Sequence, residues 1–313
     1  MKNRRALLLA LVMTCGAVAF GAQERPERRV TIPALVAAIG FAPEEGMLIA
    51  WDPGGSSRWA IDAGRQRGRD PVIAKACGRV AVLPRSEDGR TIGANCRGKL
   101  YFYEVTTGRA LGEWRLAEKQ NAALYTAAAD GRTAALVMAG VTGVVVVANL
   151  SSGAVSSEIP VGEEVEHLSL SADGARVAIG TARGVELRSL PGGALLRRIE
   201  GSAAHALSAD GRRIAVVLDG GAGVFDVETG ERVRELEGRV SHLRFGAGDR
   251  LLAGWTNQRL IVWDVERAAQ RLVLTTEEFV AAAVSPDGSR LATVSLDRTG
   301  GTASSTLAVW RLP

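Results

Sequence analysis

Residues that do chemistry are scarce in this chain. Its 313 residues include four lysines, three histidines and three cysteines, and aromatic residues make up 5%. No motif fixes a serine, a histidine and an aspartate in the geometry of a nucleophile elbow, and there is neither a dinucleotide fingerprint nor a phosphate loop. Nucleophilic and nucleotide chemistry of those kinds therefore has no support in the sequence. Beyond residue 22 no window carries a convincing 3.6-residue period, which excludes a helical solenoid. A lasting excess of positive charge is missing as well. The formal net charge is +4 with a pI of about 9.2, but Lys2, Arg4 and Arg5 account for three of those charges, so the chain beyond residue 22 stands at +1. A nucleic-acid partner would need a persistent basic stripe, and none is expected.

What is present begins with an export signal. Lys2, Arg4 and Arg5 precede an apolar run from Ala6 to Phe20 and then small residues, the three-part layout of a secretory signal. The run is shorter than the roughly 20 apolar residues of a spanning helix, and no basic stop-transfer flank follows it. Cleavage after Ala19 or Gly21 is expected, with residues 1–22 as the signal and 23–313 as the mature domain, periplasmic or extracellular. A lipid anchor at Cys15 is the alternative, with Val12-Met13-Thr14-Cys15 as a degraded lipobox in which Thr14 is a poor residue before an acylated cysteine.

Cys77 and Cys96 remain in the mature chain. In an oxidising compartment such a pair invites a disulfide. The intervening segment, with Arg79–Leu83 and Thr91–Gly93 flanking Asp88-Gly89, reads as a hairpin that brings the two sulfurs near cross-strand positions. Two buried free thiols are the other reading.

One signature organises everything else: an apolar strand, a Ser/Ala-x-Asp-Gly turn and a second apolar strand. It occurs at Glu45-Gly46, Asp88-Gly89, Asp130-Gly131, Asp173-Gly174, Asp210-Gly211, the swapped Gly248-Asp249, and Asp287-Gly288, giving seven copies about 40 residues apart. Between the turns lie short β-branched runs such as Val144–Val147, Ile214–Leu218 and Leu260–Trp263. The fifth unit is the clearest, with strands expected at Ala204–Leu207, Arg213–Leu218, Gly223–Val227 and Glu231–Leu236. Asp-Gly, Gly-Gly and Glu-Thr-Gly would supply positive-φ turns between them. The recurring aspartates are assigned to turn capping rather than to acid/base work.

Phe225-Asp226 and Trp263-Asp264-Val265 fall at the end of a repeat, where the chain resembles the WD40 family, with some similarity to bacterial YVTN-type propellers. Trp310-Arg311 keeps the tryptophan alone, Trp51-Asp52 sits at the end of a second strand, and the family's Gly-His dipeptide is absent from every unit. The resemblance implies an all-β, seven-bladed propeller of four-stranded antiparallel blades that holds other proteins. The last unit lacks a fourth strand, and the extended segment Arg29–Leu35 is expected to supply it, closing the ring and covering a sheet edge.

Three histidines, His167, His205 and His242, fall in the first strands of consecutive blades. Their register sets His205 on the opposite face from the other two, which argues against a shared metal site. No cofactor is expected. The partner-binding surface is placed on the loops between second and third strands of blades six, seven and one: Trp255 as an exposed aromatic with Asn257 and Gln258, an insertion from Asp297 and Arg298 to Ser305, and Asp52–Ser57. Arg65, Arg67 and Arg69 are expected on the opposite face. The reading is a monomeric, non-catalytic scaffold with a protein partner and no nucleic acid. The alternative is a propeller enzyme or quinoprotein-like protein that uses the central channel.

Overall fold

Glycine turns reverse the chain wherever the repeat places them. The computed structural model describes residues 25–77, 90–96, 98–116, 122–275, 278–297 and 304–313. Six of the seven turns lie within these residues, and their glycines, Gly46, Gly131, Gly174, Gly211, Gly248 and Gly288, hold φ between 64° and 77°, a region closed to most side chains. The turn serine and aspartate act together. Ser171, Ser208 and Ser285 each donate to the aspartate two residues on and accept the N–H of Arg176, Arg213 and Arg290. The hydroxyls of Ser285 and Ser289, with the Ser289 N–H, hold the Asp287 carboxyl down at about 2.

The strands so connected build seven antiparallel sheets. Blade seven takes in the N-terminal strand β1 (Arg28–Ile32). Blade one is β2 (Ala38–Phe41), β3 (Met47–Asp52), β4 (Gly55–Ala60) and β5 (Arg65–Asp70), followed by the short helix α1 (Val72–Cys77). Blade two shows three strands among the described residues, β6 (Thr91–Cys96), β7 (Lys99–Glu104) and β8 (Ala110–Arg115). Blade three is β9 (Ala122–Ala127), β10 (Thr133–Met138), β11 (Val144–Asn149) and β12 (Ala154–Pro160). Blade four is β13 (Val165–Leu170), β14 (Arg176–Thr181), β15 (Gly184–Ser189) and β16 (Leu195–Ile199). Blade five is β17 (His205–Leu207), β18 (Arg213–Leu218), β19 (Gly221–Asp226) and β20 (Arg232–Glu237). Blade six is β21 (His242–Gly246), β22 (Leu251–Trp255), β23 (Arg259–Asp264) and β24 (Ala269–Thr275), and blade seven ends the chain with β25 (Phe279–Val284), β26 (Arg290–Asp297) and β27 (Ser304–Arg311). The fold is the expected all-β, seven-bladed propeller. In blade five the third strand starts at Gly221, two residues before its expected position. Gly221 is needed there for close approach rather than positive φ, since a Cβ would lie 1.9 Å from the Leu236 carbonyl oxygen.

Ring closure has two parts. β1 pairs antiparallel with β27, from Arg28 opposite Val309 to Ile32 opposite Ser305. The strand stops at Ile32, short of the expected Leu35, because Pro33 has no N–H to donate; the Val36 N–H then donates to buried Ser305 Oγ at 2.9 Å. The second part is the core, which is divided into seven clusters, one at each junction between neighbouring blades. The junction of blades seven and one packs Ile32, Ile39, Phe41 and Trp59 against Val294, Leu307 and Val309. Both faces of a blade are therefore buried. In β10, Ala134, Leu136 and Met138 pack toward blade two, and Ala135 and Val137 toward blade four.

The swapped Gly248-Asp249 turn has a function in the ring. Successive turns are linked by hydrogen bonds, Asp130 N–H to Ala172 O at 3.0 Å and Ala172 N–H to Ala209 O at 2.9 Å. At blade six the Asp249 carboxylate takes over as acceptor, receiving the Ala209 N–H at 2.9 Å. Burial pushes the Asp249 carboxyl up, against the opposing effect of Arg90, whose guanidinium reaches Leu207 O at 3.1 Å.

Cys77 and Cys96 are bonded, with Cα atoms 5.5 Å apart. The expected cross-strand geometry needs correcting: Cys77 is the last residue of α1, and the bond ties that helix to the end of β6. The export signal, the lipid-anchor alternative at Cys15, the strand at Arg79–Leu83 and the Asp88-Gly89 turn lie outside the described residues. No helix among the described residues is long and apolar enough to cross a membrane.

Candidate protein-binding face

Among the described residues, the turns between second and third strands emerge at one end of the propeller. At blade six that turn is 256–258, the stretch between Trp255 and Arg259. Thr256 Oγ1 accepts the N–H groups of Gln258 and Arg259 at 3.3 and 3.1 Å, and the Asn257 carbonyl accepts the Phe279 N–H at 3.0 Å. The turn is thus locked to blade seven while the Asn257 and Gln258 side chains are exposed.

Trp255 requires a correction. It is 4% exposed, stacks on His242 with ring centroids 5.4 Å apart, and packs with Phe279, Leu291 and Leu260 in the junction of blades six and seven. The reason lies in the ladder, where Trp255 is the cross-strand partner of His242 and of Leu260. A residue still inside the ladder faces a neighbouring blade, so Trp255 offers no surface to a partner. Replacing it by Ala would damage the fold.

Asp52 is also placed differently from expectation. It is 3% exposed and accepts two hydrogen bonds from Arg69, each 2.7 Å, and the Gly54 N–H at 2.8 Å. The expected loop Asp52–Ser57 shrinks to Pro53-Gly54, because β4 begins at Gly55 and buries Ser56 and Ser57. Asp52 raises the Arg69 guanidinium above its ordinary value, burial opposing. The pair also brings Arg69 to the same end as these turns, not the opposite face.

Blade seven departs from the other blades at this end. β26 and β27 run eight residues each, against five or six in the other second strands, and stay paired out to Asp297 opposite Ser304. Part of the expected insertion is therefore extended ladder; Arg298 lies outside the described residues. Beside this hairpin stands Leu35, 47% exposed, in the stretch that follows β1 and precedes the Val36–Ser305 bond. Sequence reasoning placed Leu35 inside the closing strand. The signal that removes it is Pro33.

The histidines meet in a way the register argument did not anticipate. His205 does point to the opposite face from His167, but opposite faces of consecutive blades look at each other. His167 and His205 consequently lie 6.0 Å apart, centroid to centroid. His205 Nδ1 sits 2.7 Å from Ala203 O, and burial, with His167 adding to it, pushes its imidazole down to about 4. His242 faces blade seven with Trp255. Among the described residues no group of three or more His, Cys, Asp or Glu could hold a metal ion.

Compared with known proteins, the chain matches no family model and no curated protein.

Proposed function

We propose that the chain is an exported, non-catalytic scaffold of WD40-like character that holds a protein partner on the end of the propeller formed by blades six, seven and one. Fold alone does not choose a function. The observation that supports this reading is local: the lengthened β26–β27 hairpin rises between an exposed apolar side chain, Leu35, and the exposed amides of Asn257 and Gln258. Adaptable polar groups around an apolar anchor on a rigid frame suit protein recognition. A disulfide tying α1 to β6 suits an oxidising compartment.

The test is capture of a partner from an envelope extract by purified wild-type protein and by the triple variant Leu35→Asp, Asn257→Ala, Gln258→Ala. All three positions are exposed, so the melting curve should be unchanged. A band retained by the wild type and lost by the variant is expected. Retention of the same band by the variant moves the site elsewhere.

A further inference from the structure

Each blade presents an outer strand whose far edge faces solvent, and one of these edges differs from the rest. In β5 all six residues are exposed, whereas β1, β8, β12, β16, β20 and β24 each bury at least one. β5 pairs with β4 on one side and with no strand on the other among the described residues. Its sequence, Arg65-Gln66-Arg67-Gly68-Arg69-Asp70, is dominated by cations. Arg69 is committed to Asp52, but Arg65 and Arg67 meet no carboxylate among the described residues. The neighbouring outer strand β1 adds Arg28 and Arg29, both exposed and without an acidic partner among the described residues. Just before β5, Gly64 and Arg28 border a shallow apolar depression, open to solvent and lined by Val30, Trp59, Ile61 and Leu307.

We propose that β5 is the docking edge for an acidic, extended segment of a partner protein, which adds a fifth strand to blade one. Backbone groups along an open edge bind an extended chain, and alternate side chains give specificity. Here the specificity is carboxylates toward Arg65 and Arg67, which the bulge at Arg67 takes out of strict alternation, with an apolar side chain lying over the depression beside Arg28. Charges on an edge ordinarily keep like edges apart. With one sign dominating, β5 repels the same strand of a second copy and remains complementary to an acidic one. This surface is separate from the face assigned above, so the two readings stand or fall independently.

The probe is a fluorescein-labelled heptapeptide of alternating Glu and Val, titrated with the full protein and followed by fluorescence anisotropy. Arg65→Glu/Arg67→Glu should weaken binding by about tenfold or more, since two exposed attractions become repulsions. Both side chains are exposed, so the melting curve should not move. The same peptide N-methylated at alternate backbone nitrogens keeps its charge but cannot form a ladder, and it should not bind. Leu35→Asp/Asn257→Ala/Gln258→Ala should bind the peptide normally. The proposal is overturned if the double charge reversal leaves affinity unchanged or if the N-methylated peptide binds equally well. Phosphatidylglycerol vesicles that displace the peptide from the wild type, and bind it better than the variant, would also overturn it by assigning the patch to a membrane.

Discussion

His205 tests how tightly the inner strands are packed. The residue is 2% exposed, and burial together with His167 brings its imidazole from an ordinary 6.5 to about 4. The folded protein therefore keeps the ring neutral, while the unfolded chain takes up a proton as pH falls below 6.5. More protons on the unfolded state means less stability. The contribution is fully present above 6.5, is lost as pH falls toward 4, and changes no further below that. Between about pH 7.5 and about pH 4.5 the loss from this one residue is on the order of 2–3 kcal/mol, or about 5 °C in Tm for a chain of this size. His205→Leu removes the titration and installs the residue found at the same ladder position of blades four and six, Leu168 and Leu243. Thermal unfolding by circular dichroism at the two pH values is the assay, for wild type and variant. Carboxylates common to both contribute equally, so the wild type should lose about 5 °C more than the variant. An equal loss in the two proteins would refute the reasoning, because it would mean that water reaches the His205 ring in the folded state.

Two further outcomes follow from ring closure and from the disulfide. Deleting Arg28–Ile32 uncovers β27 and removes the burial of Ile32 and Val30, worth about 3 kcal/mol before any ladder bonds are counted; the chain should melt several degrees lower, and an unchanged melting curve would show that β1 is dispensable. Reducing the bond between Cys77 and Cys96, which are 19 positions apart, should cost about 3 kcal/mol on the chain-entropy account. That loss should appear as a lower urea midpoint with the propeller still folded, and alkylation of both thiols without prior reduction would show that the bond is absent in solution.

The seven blades were legible because their cause is local. A serine, an aspartate and a glycine at fixed spacing set a turn by hydrogen bonds among neighbours, as at Ser171, Ser208 and Ser285, and nothing distant is needed to read it. The closing strand was legible for a similar reason, since blade seven lacked a strand and the N-terminal segment was extended. The purpose of the swapped turn was not legible, because Asp249 answers an N–H in another blade. The same holds for α1: a disulfide partner could be named from its spacing, but the helix that carries Cys77 could not.

The misplaced site residues share one physical origin. Sequence reasoning treats a residue next to a turn as a surface residue, which is sound for a sheet with one solvent face. In a propeller both faces of every blade are junctions, so a side chain stays covered until the chain has left its last ladder pair. Trp255 and Asp52 close second strands and are still paired, Trp255 with His242 and Leu260, Asp52 with Gly55. Both are buried for that reason. The histidine register failed in the same way: the parity was right, but opposite faces of adjacent blades converge, and the rings of His167 and His205 met. Side chains that do reach solvent at this end belong to segments outside the ladders, namely Leu35 beyond Pro33 and the 256–258 turn with Asn257 and Gln258. On the outer edge the rule reverses, because a fourth strand has nothing beyond it; there the strand whose every residue is exposed, Arg65–Asp70, is the one that charge leaves open to a partner.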